Sequence, residues 1–180
     1  MAEIIERLRN QLSTPANQLE EEEEEEEEEE CRAAAVLVPI FIRKGEIGAV
    51  FIKRPLSMRR HRGQFAFPGG SCDEVDATLE ETALREAKEE IGLDSHDVDI
   101  IGRLDNIRTG SRFIVTPIVG VFSHPYQYVL NPAEVDFIIE PLLSELKAVY
   151  GIYGVEYYYG KHLIWGATAR ILMQLLNTLY

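Results

Sequence analysis

Cysteine is scarce in this chain of 180 residues, which holds only Cys31 and Cys72. Two cysteines are too few for a disulfide framework and lack the spacing of a zinc site. Both read as plain thiols of a protein kept in a reducing cytoplasm. Long apolar runs are missing too. No stretch approaches the roughly 18 apolar residues of a membrane-spanning helix. The opening MAEIIERLRNQL is charged and amphipathic, unlike the apolar core of a secretion signal. Basic residues are outnumbered, 18 Lys and Arg against 31 Asp and Glu, giving a formal charge of −13. The unbroken tract Glu20–Glu30 supplies eleven of those negatives, and without it the balance is −2. The remainder has no broad basic footprint for nucleic acid. No internal repeat is present, and the closing NTLY carries no targeting or lipidation signal.

What is present suffices for one core. Apolar residues make up 46% of the chain, and the length fits a single domain with a short appendage. Ile4, Ile5, Leu8 and Leu12 recur at helical spacing, which predicts a helix over residues 2–13. STPANQ ends it, and the glutamate tract follows as a solvated, flexible block of like charge. Residues 1–30 are therefore read as an N-terminal helix plus a poly-Glu segment, and residues 31–180 as the domain.

Within the domain, AAAVLVPIFIR and GAVFIKR read as a strand hairpin parted by KGEI. GQFAFPGG is a short extended piece closed by a Gly-Gly turn. Residues 77–91 form the strongest helix. VDIIGRLDNIR and RFIVTPIVGVF are two further strands, and EVDFIIEPLLSEL a strand running into a short helix or loop. VEYYYGKHLIWG is a hairpin turning at Gly160–Lys161. A last helix buries Ala167, Ile171, Leu172, Leu175 and Leu179. Many strands with two substantial helices, out of strict alternation, predict an α/β (α+β) fold: a mixed sheet between helices.

The strongest helix carries the chemistry. At 100° per residue, Glu86, Glu89 and Glu90 share an arc of about 100°. Ala87, Ile91 and Leu84 form the apolar side, and Lys88 lies away from the acids. Like charges at such spacing repel, and a solvated face normally mixes lysines among its acids. A hard divalent cation resolves the repulsion, because it takes carboxylate oxygens and completes its shell with water and substrate phosphates. Just upstream, the Gly69–Gly70 pair lets backbone approach an anion closely. By spacing alone the acids fit a solvated face as well as a metal site, and most Gly-Gly pairs are only turns. Together they suggest a phosphate chain pinned between backbone and metal.

These residues resemble the Nudix box, G-x5-E-x7-R-E-U-x-E-E-x-G-U, where U is a bulky aliphatic residue. Arg85-Glu86-Ala87-Lys88-Glu89-Glu90-Ile91-Gly92-Leu93 matches its second half, with only the small Ala87 at the first U. The first half departs: Asp76 replaces the glutamate, and eight residues rather than seven separate it from Arg85. Neither Asp73 nor Asp76 aligns cleanly with that glutamate. The departure is similar to the coenzyme A diphosphatase-like branch. Arg54, Arg59, Gly63 and Phe67-Pro68-Gly69-Gly70 fall at its spacing, followed by two aspartates and TALRE. Pro55 stands where the branch prefers a small residue. IWGATARIL resembles its final strand and helix, so the likeness runs from about residue 31 to residue 178.

The resemblance implies a Nudix-type α/β/α sandwich and a metal-dependent hydrolase of diphosphate-linked nucleotides. For the branch it implies cleavage of coenzyme A, or acyl-CoA, to 3′,5′-ADP and 4′-phosphopantetheine or its acyl form. Glu86 and Glu90 would ligate Mg²⁺ or Mn²⁺, with Glu89 a third ligand or the general base. Glu134 in NPAEVDF is the other candidate base; its plain reading is an exposed acid that opens a strand. Arg85 would hold the glutamates in place. Arg54, Arg59, His61 and Arg62, together with Gly69 and Gly70, would bind the diphosphate and the ribose 3′-phosphate, since arginine's planar fork suits phosphate. Tyr157, Tyr158, Tyr159 and Trp165 are explained by alternating burial in a hairpin rather than by stacking on adenine. Two alternatives stand beside this reading. One is a Nudix pyrophosphatase for ADP-ribose, NADH or a dinucleoside polyphosphate. The other is a non-catalytic nucleotide-binding Nudix domain. The expected partner is a small nucleotide, with no nucleic acid or membrane, and the assembly is left open, a homodimer included.

Overall fold

In the computed structural model, residues 2–12, 31–58, 61–110, 112–152 and 154–179 are described. The helices are α1 (Ala2–Leu12), α2 (Leu79–Ile91) and α3 (Gly166–Leu179). The strands are β1 (Arg32–Arg43), β2 (Glu46–Ala49), β3 (Phe51–Lys53), β4 (Phe65–Ala66), β5 (Gly69–Ser71) and β6 (Val98–Arg103). They continue with β7 (Ile107–Arg108), β8 (Phe113–Phe122), β9 (Phe137–Ile139), β10 (Lys147–Gly151), β11 (Gly154–Tyr159) and β12 (His162–Ile164).

The central strand β1 is buried on both faces, which explains its near-continuous apolar run. It runs parallel to β8 and antiparallel to β2 and β5, while β6 and β7 extend the sheet beyond β8. Side-chain alternation along β1 serves two cores. Ala35, Leu37 and Phe41 meet Ala83, Ala87 and Ile91 of α2. Val38 and Ile40 face the other way, onto Ile171, Leu172 and Leu175 of α3 and Leu8 of α1. Helices thus cover both faces of a mixed sheet, as the sequence predicts. Helix α1 lies against the same core, so the packed body includes residues 2–12. The Glu20–Glu30 tract lies outside the described residues.

Several strand boundaries differ from expectation. The KGEI hairpin turns through Lys44 and Gly45, both at positive φ (54° and 85°), the conformation of a tight two-residue turn. GAVFIKR is not one strand. It parts at Val50, where Val50 N–H donates to the Pro39 carbonyl at 3.0 Å, and β3 then pairs with β4 and β9 in a separate sheet. VDIIGRLDNIR likewise parts at Leu104, whose N–H reaches the Pro117 carbonyl at 3.0 Å. Gly69 and Gly70 do not form a turn but lie in β5, paired with Val36 and Ala35. The exposed strand β10 was not foreseen. The hairpin at Gly160–Lys161 is present, with Tyr157 buried in the core and Tyr158 and Tyr159 half-buried.

Candidate active site

Helix α2 positions the first carboxylates. Thr78 caps it, its side chain accepting the Glu81 N–H at 3.2 Å, and Gly92 closes it in the left-handed conformation at φ 69°. Between the caps, Glu86 and Glu90 stand four residues apart on the side facing β5. Glu90 is 1% exposed, and its Oε2 accepts the Gly69 N–H at 2.9 Å. Room for Glu86 depends on Gly70, because a Cβ there would lie 2.6 Å from the Glu86 carboxyl carbon. The two glycines therefore floor the carboxylates, and the Gly69 amide donates to Glu90 rather than to an incoming anion.

The third carboxylate arrives from far along the chain. Residues 123–136, between β8 and β9, run back across the end of α2. Tyr126, Tyr128 and Leu130 pack against the α2-side core, and Tyr128 donates to Glu140 at 2.9 Å. Val129 N–H donates to the Ile91 carbonyl at 3.0 Å and Asn131 N–H to the Glu90 carbonyl at 2.9 Å. Gly92 permits this approach, since a Cβ there would lie 2.9 Å from the Val129 Cβ. A turn begun at Asn131 then delivers Glu134, whose Oε1 accepts from Asn131 Nδ2 at 3.0 Å. Carboxylate oxygens of Glu86, Glu90 and Glu134 lie within 4.8 Å of one another. Glu89 is outside this group. It is 54% exposed, with Arg85 Nη1 3.5 Å away.

Burial raises the Glu90 pKa to about 8, with the Gly69 hydrogen bond and Arg54 opposing and Glu86 and Glu134 adding to the rise. Burial also raises Glu86, against the pull of Arg85. Three carboxylates this close either share protons or hold a cation. A hard divalent cation fits the donor set, which is all oxygen and crowded within 4.8 Å.

Arg85 is fully committed to protein. Its Nε and Nη2 grip Asp76 at 2.9 and 2.8 Å, Nη1 reaches Glu86 at 2.8 Å, and Nη2 also reaches the Ser71 carbonyl at 3.2 Å. Asp76 additionally accepts from Thr82 at 2.9 Å, and the Arg85 hydrogen bonds hold its carboxyl well below the usual carboxylate range. Between the two unaligned aspartates, Asp76 is the one joined to Arg85. The signal for it was present six residues after Gly70.

Among the described residues of the basic segment, Arg54 reaches the carboxylates, with Nη1 3.8 Å from Glu90 Oε1, and its buried Nε has no hydrogen-bond partner among those residues. Arg54 also closes the loop carrying the rest, through Arg54 N–H to the Gln64 carbonyl and Gly63 N–H to the Arg54 carbonyl, both 3.0 Å. His61 and Arg62 are exposed on that loop, His61 lying 3.1 Å from Gln64. Arg59 lies outside the described residues. Sequence reasoning missed Asn131, although an Asn-Pro pair is a turn signal.

The NUDIX domain profile matches residues 31–149. The uncharacterized Nudix hydrolase NudL of Photorhabdus laumondii is 35% identical over 187 aligned positions, covering 97% of this chain and 95% of that protein. Among solved structures, the Nudix hydrolase RenU of M. smegmatis aligns at TM-score 0.61 and 18% identity, over 81% of this chain and 83% of that one. The NUDIX domain of Shewanella oneidensis NrtR, solved with ADP ribose, aligns at TM-score 0.58 and 16% identity, over 84% and 90%. Among the described residues no helix is long and apolar enough to cross a membrane. With the profile spanning most of the packed body, this chain belongs to the Nudix family and is a Nudix hydrolase.

Proposed function

We propose that this hydrolase cleaves the diphosphate of coenzyme A or acyl-CoA, releasing 3′,5′-ADP and 4′-phosphopantetheine or its acyl form. The observation that carries a metal-dependent reading is the convergence of Glu86, Glu90 and Glu134 oxygens within 4.8 Å. These three would hold Mg²⁺ or Mn²⁺. When bound, the cation lowers the pKa of water and neutralises charge growing on the phosphoryl oxygens.

The chain's own residues do the remaining work. Arg85 orients Glu86 through its grip on Asp76. Arg54 presents a guanidinium beside the carboxylates, placed to pair with a phosphate oxygen, and the loop it closes offers His61 and Arg62 to a more distant phosphate. Water adds to one phosphorus, the bridging P–O bond breaks, and the water's proton passes to a carboxylate and on to the leaving phosphate. Glu89, beside Glu90 in sequence but outside the group, is the candidate to take that proton or to act as a further ligand. A Glu89→Gln variant that keeps Mn²⁺ affinity and loses kcat identifies the base; loss of both identifies a ligand.

The preference for coenzyme A rests on the arginine-spaced loop before FPGG. The deciding experiment is product analysis after parallel incubation with coenzyme A, ADP-ribose and NADH. Release of 3′,5′-ADP at the highest kcat/KM supports the proposal. Faster hydrolysis of ADP-ribose would favour the second reading, another nucleoside diphosphate derivative, toward which the NrtR domain solved with ADP ribose points.

A further inference from the structure

Asn131 stands where the returning segment meets α2, and each of its polar groups is engaged. Its backbone N–H donates to the Glu90 carbonyl at 2.9 Å, and its carbonyl accepts the N–H groups of Glu134 and Val135 at 3.0 and 2.8 Å. Its Oδ1 accepts the Ala133 N–H at 3.1 Å, and its Nδ2 donates to Glu134 Oε1 at 3.0 Å. The Ala133 contact fixes which way the amide faces. Turned over, the group would set N–H against N–H and oxygen against a carboxylate oxygen.

We propose that Asn131 is a positioning residue that holds Glu134 against Glu86 and Glu90, so that one residue sets the spacing of the three carboxylates. This rests on the cation-site reading of those carboxylates. Among the described residues, the hydrogen-bond donor to the Glu134 carboxylate is Asn131 Nδ2, and that carboxylate otherwise faces two others within 4.8 Å. A single N–H···O bond to one of its oxygens restrains it and leaves other lone pairs for a cation. The backbone bond from the same residue ties this turn to the helix that carries Glu86 and Glu90, so the turn and helix move together. Metal-ligating carboxylates are generally oriented by such outer hydrogen bonds.

The test is a double-mutant cycle in the full chain. Asn131→Ser keeps an oxygen able to accept the Ala133 N–H but has no amide to reach Glu134. Mn²⁺ affinity by titration calorimetry, kcat with the best substrate, and melting temperature in EDTA are measured for wild type, Asn131→Ser, Glu134→Gln and the pair. Asn131→Ser is expected to weaken Mn²⁺ binding about tenfold, and to add less than about twofold once Glu134 is Gln. An equal loss in both backgrounds would mean general loosening of the turn and would overturn the proposal, whatever the melting temperatures. An unimpaired Asn131→Ser beside an impaired Glu134→Gln would overturn it while leaving the cation site standing. Wild-type Mn²⁺ affinity in Glu134→Gln would remove Glu134 from the cation site, and the proposal with it.

Discussion

The backbone N–H of Gly69 donates to Glu90 Oε2 at 2.9 Å, joining strand β5 to a carboxylate that is 1% exposed. One hydrogen bond and Arg54 at 3.8 Å do not offset the burial, so the folded-state pKa stands at about 8 against an ordinary 4.5. Because the folded form holds its proton more tightly, the unfolded form binds fewer protons between those values, and stability falls as pH rises between them. Thermal melts in EDTA from about pH 5 to about pH 9 should show this decline, and Glu90→Gln should flatten it. Parallel curves for the two proteins would refute the assignment.

The same proton has to leave before Glu90 can ligate a metal. Mn²⁺ affinity should therefore climb with pH up to about 8 and then level, with proton release visible by calorimetry in buffers of different ionisation enthalpy. Glu90→Gln should retain its fold and lose turnover by at least about a hundredfold, the loss of a group worth several kcal/mol in the transition state. Wild-type turnover in that variant would remove Glu90 from the proposed metal site.

Asp76 and Arg85 form a bidentate pair, with the Asp76 side chain 5% exposed. Asp76→Asn should destabilise the protein by about 2 kcal/mol, since it weakens charged hydrogen bonds without replacing them. Its carboxyl titrates below the ordinary 3.8. The pair's contribution is therefore present above that value and lost as pH falls through the folded-state pKa. Urea melts at neutral pH and near pH 3 compare the two proteins, and the difference should shrink in acid.

Gly92 ends α2 at φ 69° and lets Val129 approach. Gly92→Ala should cost about 1 kcal/mol from the strained backbone alone. It should also lower Mn²⁺ affinity, because the segment that carries Glu134 is pushed away. Loss of stability with unchanged affinity would separate the cap from the site.

The exposed Arg62 tests the substrate. If its loop binds the ribose 3′-phosphate, dephospho-coenzyme A should be a markedly poorer substrate than coenzyme A. Arg62→Ala should then raise KM about tenfold for coenzyme A alone, in line with loss of a charge-assisted hydrogen bond. Steady-state kinetics on both substrates decide it, and equal effects would remove the role.

The sequence by itself determined the layered fold and half of the candidate site. Helical periodicity is local, so a spacing of four residues already put Glu86 and Glu90 on one face, and the near-continuous apolar run of the central strand is the pattern of a strand covered on both faces. The KGEI turn and the Gly160–Lys161 turn were legible for the same reason. Only the tertiary structure decided the rest. Glu134 joins the carboxylates although it lies 44 residues beyond Glu90 in the chain, because the segment before it packs across the end of α2. Glu89, adjacent to Glu90 in sequence, is left at the surface. Gly69–Gly70 read as a turn and proved to be strand, because the partner that extends it, β1, is distant in the chain. The burial that lifts Glu90 has no local signal, since charge is visible in a sequence whereas desolvation depends on everything that packs around it.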